Sequence, residues 1–213
     1  MNFSPCIATP LHDARIHAVY MAGVMDAAAR WPCRWYAVNG TSLMRQRDML
    51  VARFLETDCT HLLWVDSDIG WSSDDAEKLR ETGEDFVAGC YARKSAKADV
   101  PAVLLPHRKG ELYEASHVAT GMLLVSRAAI ELMAADAPTY TSGGVTYKSF
   151  FHQRLEEGTD DLAFCRRYRE AGGHVWLHTG CIVAHYDGNT PYYPDLRELR
   201  AHIEAERTAQ AAE

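Results

Sequence analysis

The run Leu62-Leu63-Trp64-Val65 constrains the chain more than any other feature. A strand with one wet face alternates apolar and polar residues. Four large apolar residues in a row predict a strand covered on both faces, as at the centre of an α/β sheet. Asp66-Ser67-Asp68 follows at once. In extended backbone, residues two apart share a face, so both carboxylates project together from the strand's C-terminal end. That edge is where open α/β sheets bind ligands. Desolvated carboxylates repel one another unless a cation lies between them or one keeps a proton. A hard divalent ion takes one or two carboxylates and completes its shell with water and substrate phosphates. Asp66 and Asp68 are therefore candidate ligands for Mn²⁺ or Mg²⁺ facing a nucleotide diphosphate. The plainer alternative is a polar strand end or helix cap.

The surrounding pattern fits that frame. Residues 6–9 read as a strand stopped by Pro10, residues 15–30 as a helix, and residues 34–38 as a strand ended by Asn39-Gly40. Thr41 or Ser42 is placed to cap a helix running to about Leu55. Another helix starts near Ser72 or Ser73, with Asp74 and Asp75 in its first turn, and Phe86–Gly89 reads as a fourth strand. This alternation predicts a parallel or mostly parallel sheet with right-handed crossovers. The second half is more mixed. Residues 117–126 resemble a strand interrupted by Gly121, with a helix near 127–135. Residues 137–158 read as an irregular loop or lid. A helix over 160–171 ends at Gly172-Gly173, a C-cap signal. Val175–Leu177 and Ile182–Ala184 read as short strands. A chain of 213 residues suits one domain, here residues 1–196, followed by a polar helix or tail over 197–213.

Three further groups carry candidate chemistry. Thr159-Asp160-Asp161 opens the helix 160–171. Thr159 suits an N-cap and the acids favour the helix dipole by roughly 0.3–1 kcal/mol each. The functional alternative makes Asp161, or Asp160 second, a general base toward an acceptor hydroxyl. Arg47 lies on the apolar stripe formed by Leu43, Leu50, Val51 and Phe54, so its guanidinium needs a carboxylate, a ligand diphosphate or a route to water. His174, His178, Cys181 and His185 crowd one segment, but strand spacing sets His174 and His178 about 13 Å apart, too far to share a zinc ion. His185 stands apart as a candidate third ligand ahead of the turn Tyr186-Asp187-Gly188. Tyr140, Tyr147, Phe150 and Phe151 form either an acceptor lid or ordinary core.

Composition narrows the classes. Apolar residues at 47% and charged residues at 24% suit a globular domain, not a disordered chain. The formal charge of −7 opposes nucleic-acid binding through bulk charge. Two short basic clusters remain, Arg93, Lys94 and Lys97, and Arg108 with Lys109. Six scattered cysteines contain no C-x-x-C pair, which speaks against a zinc ribbon or a disulfide framework. No apolar run approaches the roughly 20 residues of a membrane span. Residues 1–5 carry no basic or long apolar stretch, so a cytoplasmic protein is expected.

Taken in order, CIATP, MRQRDMLVARFL, THLLWVDSDIGW, FVAGCYARK, ATGMLLVSRAAIELM, GTDDLAFCRRYREAGG and VAHYDG cover roughly residues 6–188. Together they resemble the GT-A class of nucleotide-sugar glycosyltransferases, in particular small family-2-like and phage-encoded members. The resemblance implies a Rossmann-like α/β fold with Asp66, Asp68 and His185 on Mn²⁺ or Mg²⁺. It sets Thr9 and Pro10 by the nucleotide base, and Arg47 and Lys94 near the nucleotide-sugar. Asn39 occupies the place of the family's acidic motif after the second strand. Asp161 matches the second acid of the family's Glu-Asp pair, the first being Asp160 here. The implied donor is a UDP-sugar or similar, and the phage members suggest hydroxymethylated pyrimidine in DNA as one acceptor. The rival readings are a metal-dependent nucleotidyltransferase, which normally needs a glycine-rich loop where this chain has Ala8–Asp13, and a non-catalytic nucleotide-sugar binding module.

Overall fold

The computed structural model describes residues 2–95, 97, 99–153, 158–197 and 201. Of the expected C-terminal helix or tail, all but Arg197 and Ala201 lies outside the described residues.

The expected central strand is β3 (His61–Val65). Leu62 and Trp64 enter the core on one side of the sheet, and Leu63 and Val65 enter the core on the other. All four are fully buried, each burial contributing about 1.5–3 kcal/mol relative to exposure. The first core is covered by α2 (Leu43–Leu55), α4 (Arg127–Ala135) and α5 (Asp160–Glu170). The second is covered by α1 (Ala18–Arg30) and α3 (Ser73–Glu81).

The remaining strands of the eight-stranded sheet are β1 (Pro5–Leu11), β2 (Arg34–Asn39), β5 (Phe86–Cys90), β6 (Ala102–Lys109), β7 (Leu112–Val118), β8 (Met122–Ser126) and β11 (Val175–Ile182). Their order is β2-β1-β3-β8-β5-β11-β7-β6. β1, β2, β3, β5, β11 and β6 share one direction, while β8 and β7 run against them. The sheet is thus mixed, mostly in one direction, with the antiparallel strands supplied by the second half of the chain. A small sheet of β4 (Ile69–Gly70), β12 (Ala184–Asp187) and β13 (Thr190–Tyr192) stands beside the end of β3. Among the described residues no helix is long and apolar enough to cross a membrane.

Several expectations shift in detail. Pro10 does not stop β1: pairing to β3 ends at Ala8, and Pro10 pairs only with β2, so the missing N–H breaks no bond. The first helix begins at Ala18, capped by the His17 ring, whose Nδ1 accepts from Val19 N at 3.3 Å. Ser42 and Ser72 cap α2 and α3 as read, and Ser72 forms a reciprocal capping box with Asp75. Leu43, assigned to the buried stripe of α2, is exposed at the helix start.

The interrupted strand over 117–126 becomes two strands, β7 and β8, far apart in the sheet order. Gly121 explains the break. A Cβ there would lie 2.6 Å from the Tyr91 ring, and Gly121 N–H donates to Tyr91 Oη at 3.1 Å. The irregular stretch from residue 137 contains a hairpin of β9 (Thr139–Ser142) and β10 (Val145–Lys148), turned by Gly143 and Gly144, both with positive φ. Phe150 and Phe151 are core and not lid: Phe151 stacks on Phe164 of α5 at 4.4 Å. Residues 154–157 of that stretch lie outside the described residues. The strands read at 175–177 and 182–184 are mostly one strand, β11, with an irregular register between His178 and Ile182.

Asp48 of α2 fixes the segment entering the core. Its carboxylate accepts from Phe150 N at 2.8 Å, Phe151 N at 3.3 Å and Ser149 Oγ at 3.2 Å. Asp48→Ala leaves those buried donors unpaired and is expected to cost about 3 kcal/mol in urea unfolding. A loss below roughly 0.5 kcal/mol would show that the carboxylate does not hold this segment.

Candidate active site

The candidate residues meet where β1, β3 and β5 end. Asp66 leaves β3, and its N–H donates to Gly121 O at 3.1 Å. Ile69 N–H donates back to Asp66 O at 3.0 Å, closing the turn that carries Asp68. From β5 the chain supplies Tyr91 and Lys94, from α5 Asp160 and Asp161, and from β12 His185. Tyr186 N–H donates to Asp68 O at 2.9 Å, which ties β12 to that turn.

Arg47 lies at the centre of the acids. It is 3% exposed, and its Nη1 donates to Asp160 Oδ2 and Asp161 Oδ1, both at 2.6 Å. Its partners are thus the acids that open α5. Arg47 Nε is buried without a partner among the described residues. Burial works against the charged guanidinium, but Asp161, Asp66 and Asp160 outweigh it and hold the pKa above its ordinary value.

Asp161 Oδ1 also accepts from Thr120 Oγ1 at 2.9 Å. Burial raises the Asp161 pKa, opposed by Arg47 and supported by Asp160. Asp66 is partly buried. Burial pushes its pKa up to about 6, with Arg47 and His185 pulling down and Asp68 and Asp161 pushing up. Tyr91 is raised well above its ordinary value by burial and by Asp66 and Asp161.

Asp68 has the opposite balance. Burial would raise its pKa, but His185 and Lys94 bring it below the ordinary carboxylate range. Lys94 Nζ lies 2.5 Å from Asp68 Oδ2, and His185 Nε2 lies 3.3 Å from Asp68 Oδ1. His185 Nδ1 lies 2.9 Å from Ala92 O. A carbonyl only accepts, so Nδ1 carries the proton there. Nε2 then faces the carboxylate either with a second proton or with a lone pair open to a cation. Metal-ligating histidines commonly have one imidazole nitrogen fixed by a carbonyl while the other is offered outward.

Among the described residues no group of three or more His, Cys, Asp or Glu side chains is gathered to hold a metal ion by itself. Asp68 and His185 are nonetheless a suitable pair of donors. A small divalent ion needs few protein ligands when phosphates and water complete its shell.

Tyr91, Lys94, His117, Thr159, Asp161 and His185 are among the residues lining a cleft of about 390 Å³. Burial lowers the His117 pKa, opposed by Asp161. The remaining candidates stand differently. Thr9 and Pro10 are buried in β1. The Thr9 hydroxyl is shared with Tyr20 Oη, which also accepts from Trp35 Nε1 at 2.9 Å. Asn39 is exposed at the end of β2, opposite Leu11. Thr120, Tyr91 and His117 escaped the sequence reading. Ala119-Thr120-Gly121 gave one usable signal, a glycine beside the end of a buried strand.

No family model matches the chain, and no curated protein sequence matches it. Similarity appears among solved structures. The crystal structure of A197 from STIV covers 91% of this chain and 94% of its own at 12% identity and TM-score 0.58. UDP-glucose pyrophosphorylase complexed with UDP-glucose covers 99% and 100% at 7% identity and TM-score 0.51. A glycosyltransferase involved in glycosylation of the major capsid of PBCV-1 covers 61% and 63% at 11% identity, with a TM-score of 0.36 that is too low to bear on the fold. The chain has a mixed α/β fold with a large, partly parallel central sheet flanked by helices, similar in architecture to the first two of these structures.

Asp66 gives a stability test. Its folded pKa of about 6 lies above the ordinary 3.8. Below the lower value both states are protonated. As pH rises through the window, the unfolded chain ionises first and stability falls. Above the window the full cost, on the order of 3 kcal/mol, is present. Asp66→Asn is therefore expected to raise the urea midpoint near pH 8 and leave it unchanged near pH 4. A lowered midpoint near pH 8 would contradict this balance.

Proposed function

We propose that the protein is a metal-dependent glycosyltransferase that moves a sugar from a nucleotide-diphosphate sugar, with a UDP-sugar favoured, to an acceptor hydroxyl. The observation that carries the reading is the Asp68–His185 pair beside Lys94 and the Arg47–Asp161 network, all at one sheet edge. The fold likeness to a UDP-glucose-bound structure supports it at the level of architecture.

In this reading Asp68 and His185, with Asp66 behind them, hold Mn²⁺ or Mg²⁺. When bound, the ion neutralises charge on the departing diphosphate. Arg47 brings a buried positive charge behind the anionic donor. Asp161 serves as base. Its Oδ1 is held by Arg47 and Thr120, and its Oδ2 has no hydrogen-bond partner among the described residues. That oxygen takes the acceptor proton as the acceptor oxygen bonds to the anomeric carbon. The bond from that carbon to the diphosphate breaks on the opposite side, so configuration inverts. Asp160 shares Arg47 and stands as the second choice. Thr9, Pro10 and Asn39 lie at the β1–β2 end of this edge, where the nucleotide base is proposed to bind.

Modified DNA is a weaker acceptor than a smaller hydroxyl compound. Arg93 is paired with Asp99 and Lys94 with Asp68; Lys109 is held by Glu84, and Arg108 donates to Tyr113. Each of these four cations has to leave a partner within the protein before it can pair with a DNA phosphate.

Nucleotidyl transfer is the second reading, favoured by the likeness to a pyrophosphorylase and opposed by a β1 exit with no glycine between Ala8 and Asp13. A nucleotide-sugar panel with Mn²⁺ separates the two. Glycosyl transfer predicts metal-dependent UDP release. Asp68→Ala should abolish it, and Asp161→Asn should retain donor binding while lowering turnover by roughly 10²–10⁴-fold. Pyrophosphate release from UTP and a sugar phosphate, with no UDP release from any nucleotide-sugar, would overturn the proposal. Ligand binding without turnover would indicate a binding module.

A further inference from the structure

We infer that Lys94 is an internal counter-cation for Asp68 which must be displaced for a divalent ion to bind, so that metal and nucleotide donor bind cooperatively. The inference rests on the metal site proposed above and adds to it how the site is kept closed and how it opens.

Lys94 Nζ sits on Asp68 Oδ2 at 2.5 Å, while the other oxygen, Oδ1, faces His185 Nε2. Both oxygens of Asp68 are therefore engaged. A cation reaching Asp68 competes directly with the ammonium for one carboxylate, because two positive charges a few ångströms apart repel.

The backbone holds Lys94 within reach of the site. Arg93 N–H donates to Asp99 O at 2.9 Å, Arg93 pairs with Asp99 Oδ2 at 3.3 Å, and Ser95 Oγ donates to Asp99 Oδ1 at 3.2 Å. Ala92 O in the same segment accepts from His185. The residues on either side of Lys94 are thus pinned, while its side chain is 30% exposed and held only through its ammonium on Asp68 among the described residues. An ammonium released from Asp68 remains at the cleft, which Lys94 lines together with His185. An anionic donor supplies the partner it has lost.

The exchange gives a definite linkage. Metal alone must break the Lys94–Asp68 pair with nothing to receive the ammonium. Donor alone must draw Lys94 away and leave Asp68 without its neutralising charge. Together each removes the other's cost. Linkage is reciprocal, so Mn²⁺ should raise donor affinity by the same factor by which donor raises Mn²⁺ affinity.

The test measures Mn²⁺ binding by electron paramagnetic resonance and UDP binding by calorimetry, on the full chain and on Lys94→Met and Lys94→Arg. Thermal unfolding confirms that each variant folds, as expected for a partly exposed side chain. Lys94→Met should bind Mn²⁺ alone roughly tenfold more tightly than the parent. It should bind UDP more weakly in the presence of Mn²⁺ and lose most of the mutual enhancement. Lys94→Arg, which keeps the charge, should follow the parent. Equal or weaker Mn²⁺ binding by Lys94→Met would overturn the counter-cation role while leaving the metal site in place. Absence of Mn²⁺ binding from the parent and from Lys94→Met, with and without UDP, would instead overturn the metal reading on which the inference stands.

Discussion

The buried guanidinium of Arg47 holds the site together. It joins α2 to the start of α5 through Asp160 and Asp161, and its charge also acts on Asp66 at the end of β3. Without it, Asp66, Asp160 and Asp161 would lose the buried cation they share. Removing one partner from such a buried group typically costs about 3–5 kcal/mol. The same charge opposes the rise that burial imposes on the Asp161 pKa and orients one of its oxygens.

Two opposed electrostatic regimes lie two residues apart. Asp66 sits where burial wins, and its pKa rises to about 6. Asp68 sits where His185 and Lys94 win, and its pKa falls. The difference comes from the turn after β3, which keeps Asp66 deep against Gly121 and swings Asp68 toward β12. A single extended strand would have left both carboxylates in one environment. The turn pairs Asp68 with Lys94 and His185 and leaves Asp66 an inner charge.

Much of the frame was legible because local signals agreed with global packing. Leu62–Val65 had to be covered on both faces, Ser42 and Ser72 had to cap, and Gly172 had to end α5. The position of β8 between β3 and β5 was not legible, since strand order depends on pairings distant in sequence. Residues 102–116 escaped as strands because β6 has broken register and exposed polar positions, which blur the period of two. Arg47 was recognisable as a misfit on an apolar stripe, and carboxylate was among the partners expected. That the carboxylates were Asp160 and Asp161 required the tertiary fold. The Lys94–Asp68 contact was equally hidden, lying between segments 26 residues apart.

Crystals soaked with Mn²⁺ and UDP test directly whether this edge of the sheet receives a metal-bound diphosphate. The proposed metal site predicts an anomalous manganese peak against Asp68 and His185, the diphosphate bridging from that peak toward Arg47, and Lys94 turned from Asp68 to a phosphate oxygen. Ordered UDP bound elsewhere, with no manganese at Asp68 and Lys94 still seated on it, would contradict the account.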